Sequence, residues 1–248
     1  MNPYALCLLI VAPGVNLPPA PPPPVTYDSI LQELNDDFPQ RGSYAKQGWS
    51  LVETKADREL RFRVIRGDAE AMWLDNKAKV RVNCRIRAKT VAKPRDCITR
   101  TKAGTKTLHS MRMIPMPSLV AAEQWAEAFN AYASLARQDK VDEIKSTFNT
   151  TLAGRFKLVS PAGDHCNAKV KDLAAGETWR FDAREVKTRF YSADGLFEAK
   201  LECKNNTGEC IDLVGGSDRT FVRLGLAALS EAQLVADSLN DLNEICEI

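Results

Sequence analysis

Between Lys77 and Lys89 apolar and polar residues alternate without a fault. Ala78, Val80, Val82, Cys84, Ile86 and Ala88 share one side, and Lys77, Lys79, Arg81, Asn83, Arg85, Arg87 and Lys89 share the other. A period of two marks a strand with one buried face, so this stretch reads as one strand, or two collinear ones, with Cys84 pointing inward. Phe197, Ala199, Leu201 and Cys203 alternate in the same phase with Glu198, Lys200, Glu202 and Lys204. Just upstream of the first run, Leu60, Phe62 and Val64 alternate with Arg61 and Arg63, which predicts a further strand.

Elsewhere the spacing turns helical. Ile30, Leu31, Leu34 and Phe38 predict a helix over 27–38 that stops at Pro39, and Val141, Ile144 and Phe148 predict another over 141–152. Ala122, Trp125, Ala126, Phe129, Tyr132 and Ala133 form an apolar stripe. So do Ala232, Val235, Ala236, Leu239, Leu242, Ile245 and Cys246, with Ser230 and Glu231 placed to cap that helix. Stripes of this kind pack helices onto sheets.

These elements occur twice in one order. Cys84 and Cys97 answer to Cys203 and Cys210, the run Thr107–Met111 to Thr220–Leu224, and Ala126–Asn130 to Ala236–Asn240. A period of roughly 110 residues indicates a duplicated unit rather than a short solenoid repeat. The expected organisation is a signal-like segment and proline-rich spacer over 1–26, a basic copy over 27–138 and an acidic copy over 139–248. The fold class is α+β: tandem copies of a mostly antiparallel sheet or small barrel, each capped by a C-terminal helix. In element order each copy is similar to pleckstrin-homology-like domains. That resemblance carries no motif and so implies neither ligand nor function.

Export follows from the N-terminus and the cysteines. Ala5–Ala12 is an apolar run too short to span a bilayer but suited to a secretory signal, and a proline-rich stretch follows it. Of seven cysteines, six remain once Cys7 leaves with the signal. The repeat pairs Cys84 with Cys97 and Cys203 with Cys210, leaving Cys166 for Cys246. A secreted or periplasmic protein without a transmembrane span is expected. The sequons at Asn149 and Asn205 acquire meaning only in a eukaryotic secretory host.

The sequence offers little catalytic chemistry. His109 and His165 are the two histidines; His109 falls in a strand-like run opposite Val222 in the repeat, and His165 abuts Cys166. Neither joins a nucleophile–base–orienter set, and no zinc, calcium or phosphate-loop spacing occurs. No catalytic residue, metal centre or cofactor is expected.

Charge is the feature that bears on function. Residues 46–112 hold 18 Lys/Arg against 7 Asp/Glu, whereas 161–248 hold 10 against 16. If the strands bearing Arg61 and Arg63 and those bearing Lys77, Lys79, Arg81, Arg85, Arg87 and Lys89 are neighbours, their outward side chains form one cationic surface. Such a surface suits an anionic lipid or polysaccharide, or an acidic protein, rather than nucleic acid, because no aromatics interleave the charges. The expectation is a non-enzymatic binding or scaffold protein capturing an anionic partner. One alternative is a carrier enclosing an apolar ligand against Trp125, Phe129 and Tyr132; another is a hydrolase of unrecognised type.

Overall fold

The computed structural model describes residues 24–84, 97–161, 164, 166–204 and 208–246. The signal-like segment to residue 23, Arg85, Arg87, Lys89 and His165 lie outside them. The fold is α+β, with antiparallel sheets and, among the described residues, three α-helices.

The first helix, α1 (Tyr27–Asp37), opens with a capping box: the Thr26 hydroxyl accepts from the Ser29 N–H, and the Ser29 hydroxyl accepts from the Thr26 N–H. A meander follows, β1 (Ser43–Gln47), β2 (Ser50–Lys55) and β3 (Arg58–Arg63). The chain then leaves that sheet for the hairpin β4 (Gly67–Leu74) and β5 (Lys77–Cys84). It returns as β6 (Ile98–Lys102) and β7 (Thr105–His109), and closes with β8 (Met111–Pro115) beside β5. The result is a five-stranded sheet ordered β1-β2-β3-β6-β7 and a three-stranded sheet ordered β4-β5-β8.

After α2 (Leu119–Thr151), the second half builds β9 (Phe156–Val159), β10 (Asn167–Asp172), β11 (Thr178–Asp182), β12 (Val186–Ala193) and β13 (Leu196–Cys203). It finishes with β14 (Ile211–Leu213), β15 (Phe221–Leu226) and α3 (Leu229–Cys246). Its sheets run β9-β10-β11-β14 and β12-β13-β15, the same connectivity strand for strand. The place of β7 is taken by a lone bridge between Ile211 and Arg219.

The sheets are open rather than closed barrels, so the likeness to pleckstrin-homology-like domains extends only to the order of elements. Two further expectations are corrected. The helices expected over 122–133 and 141–152 are one helix, because the residues between them (Ala136-Arg137-Gln138-Asp139-Lys140) include neither Gly nor Pro to end it. Ser230 lies inside α3; the Glu231 carboxylate instead turns back to accept from the Ala227 N–H at 2.9 Å.

Two cores flank α2. Its N-terminal part packs Trp125, Phe129 and Tyr132 with Phe62, Val80 and Leu34. Its C-terminal part packs Val141, Ile144 and Phe148 with Leu158, Val170 and Leu239. Three disulfides join Cys84 to Cys97, Cys203 to Cys210, and Cys166 to Cys246. Neither of the first two closes a hairpin, although the polar residues between Cys203 and Cys210 have the turn chemistry for one. Cys84 ends β5 and Cys97 precedes β6, so that bond ties the two sheets of the first half together; Cys203 and Cys210 do the same in the second.

Candidate functional site

The expected cationic surface is divided by the topology. Arg61 and Arg63 lie on β3, whose neighbours are β2 and β6. Lys77, Lys79 and Arg81 lie on β5, whose neighbours are β4 and β8. The two groups stand on different sheets, because the chain changes sheet at Val64–Arg66. The β5 charges are also largely matched at home. Lys79 Nζ lies 2.8 Å from Asp75 Oδ2, and Arg81 pairs with Glu70 across the hairpin. An anion approaching β5 would compete with carboxylates already in place.

The β3 charges have a different setting. The outer face of the five-stranded sheet forms a groove of about 710 Å³. Arg61 and Arg63 from β3, Arg66 from the turn beyond it and Lys106 from β7 contribute its cations. Trp49 and Leu108 add apolar surface to its lining. Cross-strand register explains the assembly: Arg61 is opposite Thr99, and Thr99 is opposite Leu108, so alternate residues of β3, β6 and β7 share this face.

Among the described lining residues Glu59 is the sole acid, 3.5 Å from Arg61. Arg61 also donates to the Gln47 side chain. Arg66 is held 2.8 Å from Glu244 of α3, so an acid of the second half does meet a cation of the first. Arg63 and Lys106 have no carboxylate partner among the described residues, and both are exposed. The groove can therefore offer two uncommitted cations, two partly committed arginines, and the hydroxyls of Thr99 and Thr101.

Arg61 and Arg63 are thus in the groove, while Lys77, Lys79 and Arg81 belong to another surface. Arg66, Lys106 and Trp49 were missed. Lys106 has no neighbouring charge run, and only the pairing of β6 with β7 reveals that it joins Arg61. Among the described residues no strand of the second half takes the place of β7, so nothing in its sheet answers to Lys106 or Leu108.

The other candidate residues settle into structural places. Trp125, Phe129 and Tyr132 are fully buried, and Trp125 stacks on Phe129 with ring centres 5.3 Å apart. Phe62 meets both rings edge-on, so the wall expected for a carrier is packed against the sheet. The counterpart of His109 is Arg219, not Val222: each faces an isoleucine, Ile98 or Ile211, in equivalent strands. The break at Ser110 shifts the true match three residues from the one suggested by the apolar run. The His109 ring lies 3.1 Å from the Thr107 hydroxyl. The side-chain amide of Asn149, the first sequon, is engaged by the backbone of Leu158 in both directions.

No helix among the described residues is long and apolar enough to cross a membrane. Comparison with known proteins gives no matching family model and no matching curated relative.

Proposed function

We propose that this is an exported binding protein, built from a duplicated unit, whose first half captures an anionic partner in the groove on the outer face of β3, β6 and β7. The observation that carries the reading is the pair Arg63 and Lys106: exposed cations without a described carboxylate partner, beside Arg61 and Arg66 in one trough. Like charges on one face repel, and an anionic ligand relieves that repulsion. Three disulfides within about 250 residues support an oxidising compartment, secreted or periplasmic.

The test is retention on immobilised dextran sulfate as salt is raised. Capture by the groove requires that retention weaken steeply with ionic strength. It also requires that Arg63→Glu with Lys106→Glu abolish retention while Arg81→Glu leaves it nearly unchanged. Equal retention of the groove variant and the unaltered protein would remove this reading.

A further inference from the structure

Because the halves share one topology, each strand position in one has a counterpart in the other. One row of residues crosses the first five-stranded sheet on the face that buries Tyr44, Glu53 and Leu60: Tyr44, Glu53, Leu60, Arg100 and Thr107, each opposite the next. The corresponding row in the second half is Leu158, Val170, Trp179 and Leu213. On the adjoining sheet Arg112 stands opposite Val82, where the second half has Val222 opposite Leu201. Glu53, Arg100 and Arg112 therefore occupy places that the same fold fills with valine, leucine and valine. The architecture itself does not call for charge there.

What has been placed there is unbalanced. Glu53 is 1% exposed. It takes a fork of hydrogen bonds from Arg41, the shortest at 2.9 Å, and lies 3.6 Å from Arg58. Its remaining contact is the Tyr44 hydroxyl, which in turn accepts from Trp125 Nε1. Arg100 and Arg112 complete the group, and burial followed by the charges of Arg100 and Arg58 holds the Arg112 guanidinium below its ordinary proton affinity. Among the described residues the Glu53 carboxylate pairs with Arg41 and Arg58 only, and neither Arg100 nor Arg112 has an ion pair. The Nε groups of Arg58 and Arg100 are buried without an acceptor. A buried charge-bearing donor left unpaired is costly, and planar guanidinium forks match tetrahedral oxyanions.

We infer that Arg58, Arg100 and Arg112 form a second binding site, for a phosphate- or sulfate-class oxyanion, on the opposite side of the sheet from the groove. Arg41 is fixed by Glu53 and acts as the clasp; Glu53 positions Arg41 and Arg58 rather than meeting the ligand. The anion supplies the acceptors that Arg58 and Arg100 lack and neutralises charge that a single carboxylate leaves over. The site does not depend on the groove reading, since it draws on none of the same side chains.

Calorimetric titration of the full chain with inorganic sulfate and with inorganic phosphate, against chloride at matched ionic strength, tests this. The unaltered protein is expected to bind at least one of the two. Arg100→Leu with Arg112→Val, which installs the second half's residues, is expected to weaken binding about tenfold or more. Arg58→Gln, which keeps a polar side chain at a partly exposed position, gives the same direction should the double variant unfold. In the groove variant Arg63→Glu with Lys106→Glu, the component of binding that Arg58→Gln removes is expected to remain. Phosphatidylglycerol vesicles added in competition separate a lipid headgroup from a free anion: displacement assigns the lipid, and its absence assigns the free ion. No heat above chloride in the unaltered protein would overturn the inference. So would unchanged affinity in Arg58→Gln, or loss confined to the groove variant, which would return the anion to the groove.

Discussion

Asn130 grips Ala69 with both ends of its side-chain amide: Nδ2 donates to the Ala69 carbonyl and Oδ1 accepts from the Ala69 N–H, each at 2.9 Å. The amide replaces the strand partner that β4 lacks along that edge and fastens α2 to the sheet. Asn240 repeats the arrangement on Thr188, at 2.9 and 3.0 Å. Asn35 and Asn149 do likewise for Tyr44 and Leu158 at the other edge of each half. Replacing Asn130 or Asn240 by Ala leaves two backbone groups unpaired and is expected to cost about 1–3 kcal/mol in urea unfolding. Replacement by Asp, which accepts but cannot donate, should also destabilise. A loss under about 0.5 kcal/mol would show that water restores both bonds.

The disulfides should differ in weight. Cys166 and Cys246 are separated by 80 residues, Cys203 and Cys210 by 7. On the chain-entropy account the long closure contributes about 4–5 kcal/mol and the short one about 2–3 kcal/mol. Paired Cys→Ser replacements, compared by denaturant midpoint, are expected to rank in that order. The reverse rank would mean that joining the two sheets matters more than closing the chain.

Acid should weaken the second half. The hydrogen bond from Lys200 holds the Glu202 carboxyl below the usual carboxylate range, with Lys187 and Arg189 adding to the effect. Arg184 acts likewise on Asp182, and Arg155 on Glu231. Each carboxyl binds its proton less readily folded than unfolded. Their stabilisation is therefore present above the unfolded value of about 4 and is lost as pH falls through the folded one. Stability is expected to drop below about pH 4, and Glu202→Gln should make the drop shallower. A pH series of denaturant midpoints reads this directly.

At high pH the sign reverses. Burial pushes the Tyr132 phenol up to about 12. Its folded state holds a proton that the unfolded chain releases near 10, so stability should fall as pH rises from about 10 toward 12. Tyr132→Phe is expected to reduce that slope. An unchanged slope would move the effect to Tyr44, which burial and the Glu53 charge raise in the same direction.

Gln138→Pro probes the middle of α2. Proline there removes a helical hydrogen bond and clashes with the preceding turn, at about 3 kcal/mol or more. New protease cleavage around residue 138, with the two cores still folded, is the expected outcome. Persisting protection would mean that the contact of α3 with α2 and the Arg66–Glu244 pair hold the halves without the helix.

Much of this architecture is legible from periodicity. Cys84 and Cys203 face inward as alternation requires, and the apolar stripes of 122–133 and 232–246 are buried. What alternation conveys is the face of a strand, not its neighbours. Arg61 and Arg81 look alike in sequence yet stand on separate sheets. Arg100 and Arg112 are opaque for a further reason: a guanidinium on the inward side of a strand breaks the very pattern used to find the strand. Only its apolar counterparts, Leu213 and Val222, expose the substitution once the topologies are superposed.

The unbroken α2 also constrains how the molecule can change over time. Each residue of an α-helix turns the chain through about 100° and advances it about 1.5 Å. The number of residues between Ala136 and Val141 therefore acts as a tooth count between two meshed wheels. Insertions in the turns of either half alter only their surroundings. A single insertion in this stretch would swing one core out of phase with the other and separate Arg66 from Glu244. Length variation should be tolerated nearly everywhere on the surface and rejected in this short shaft.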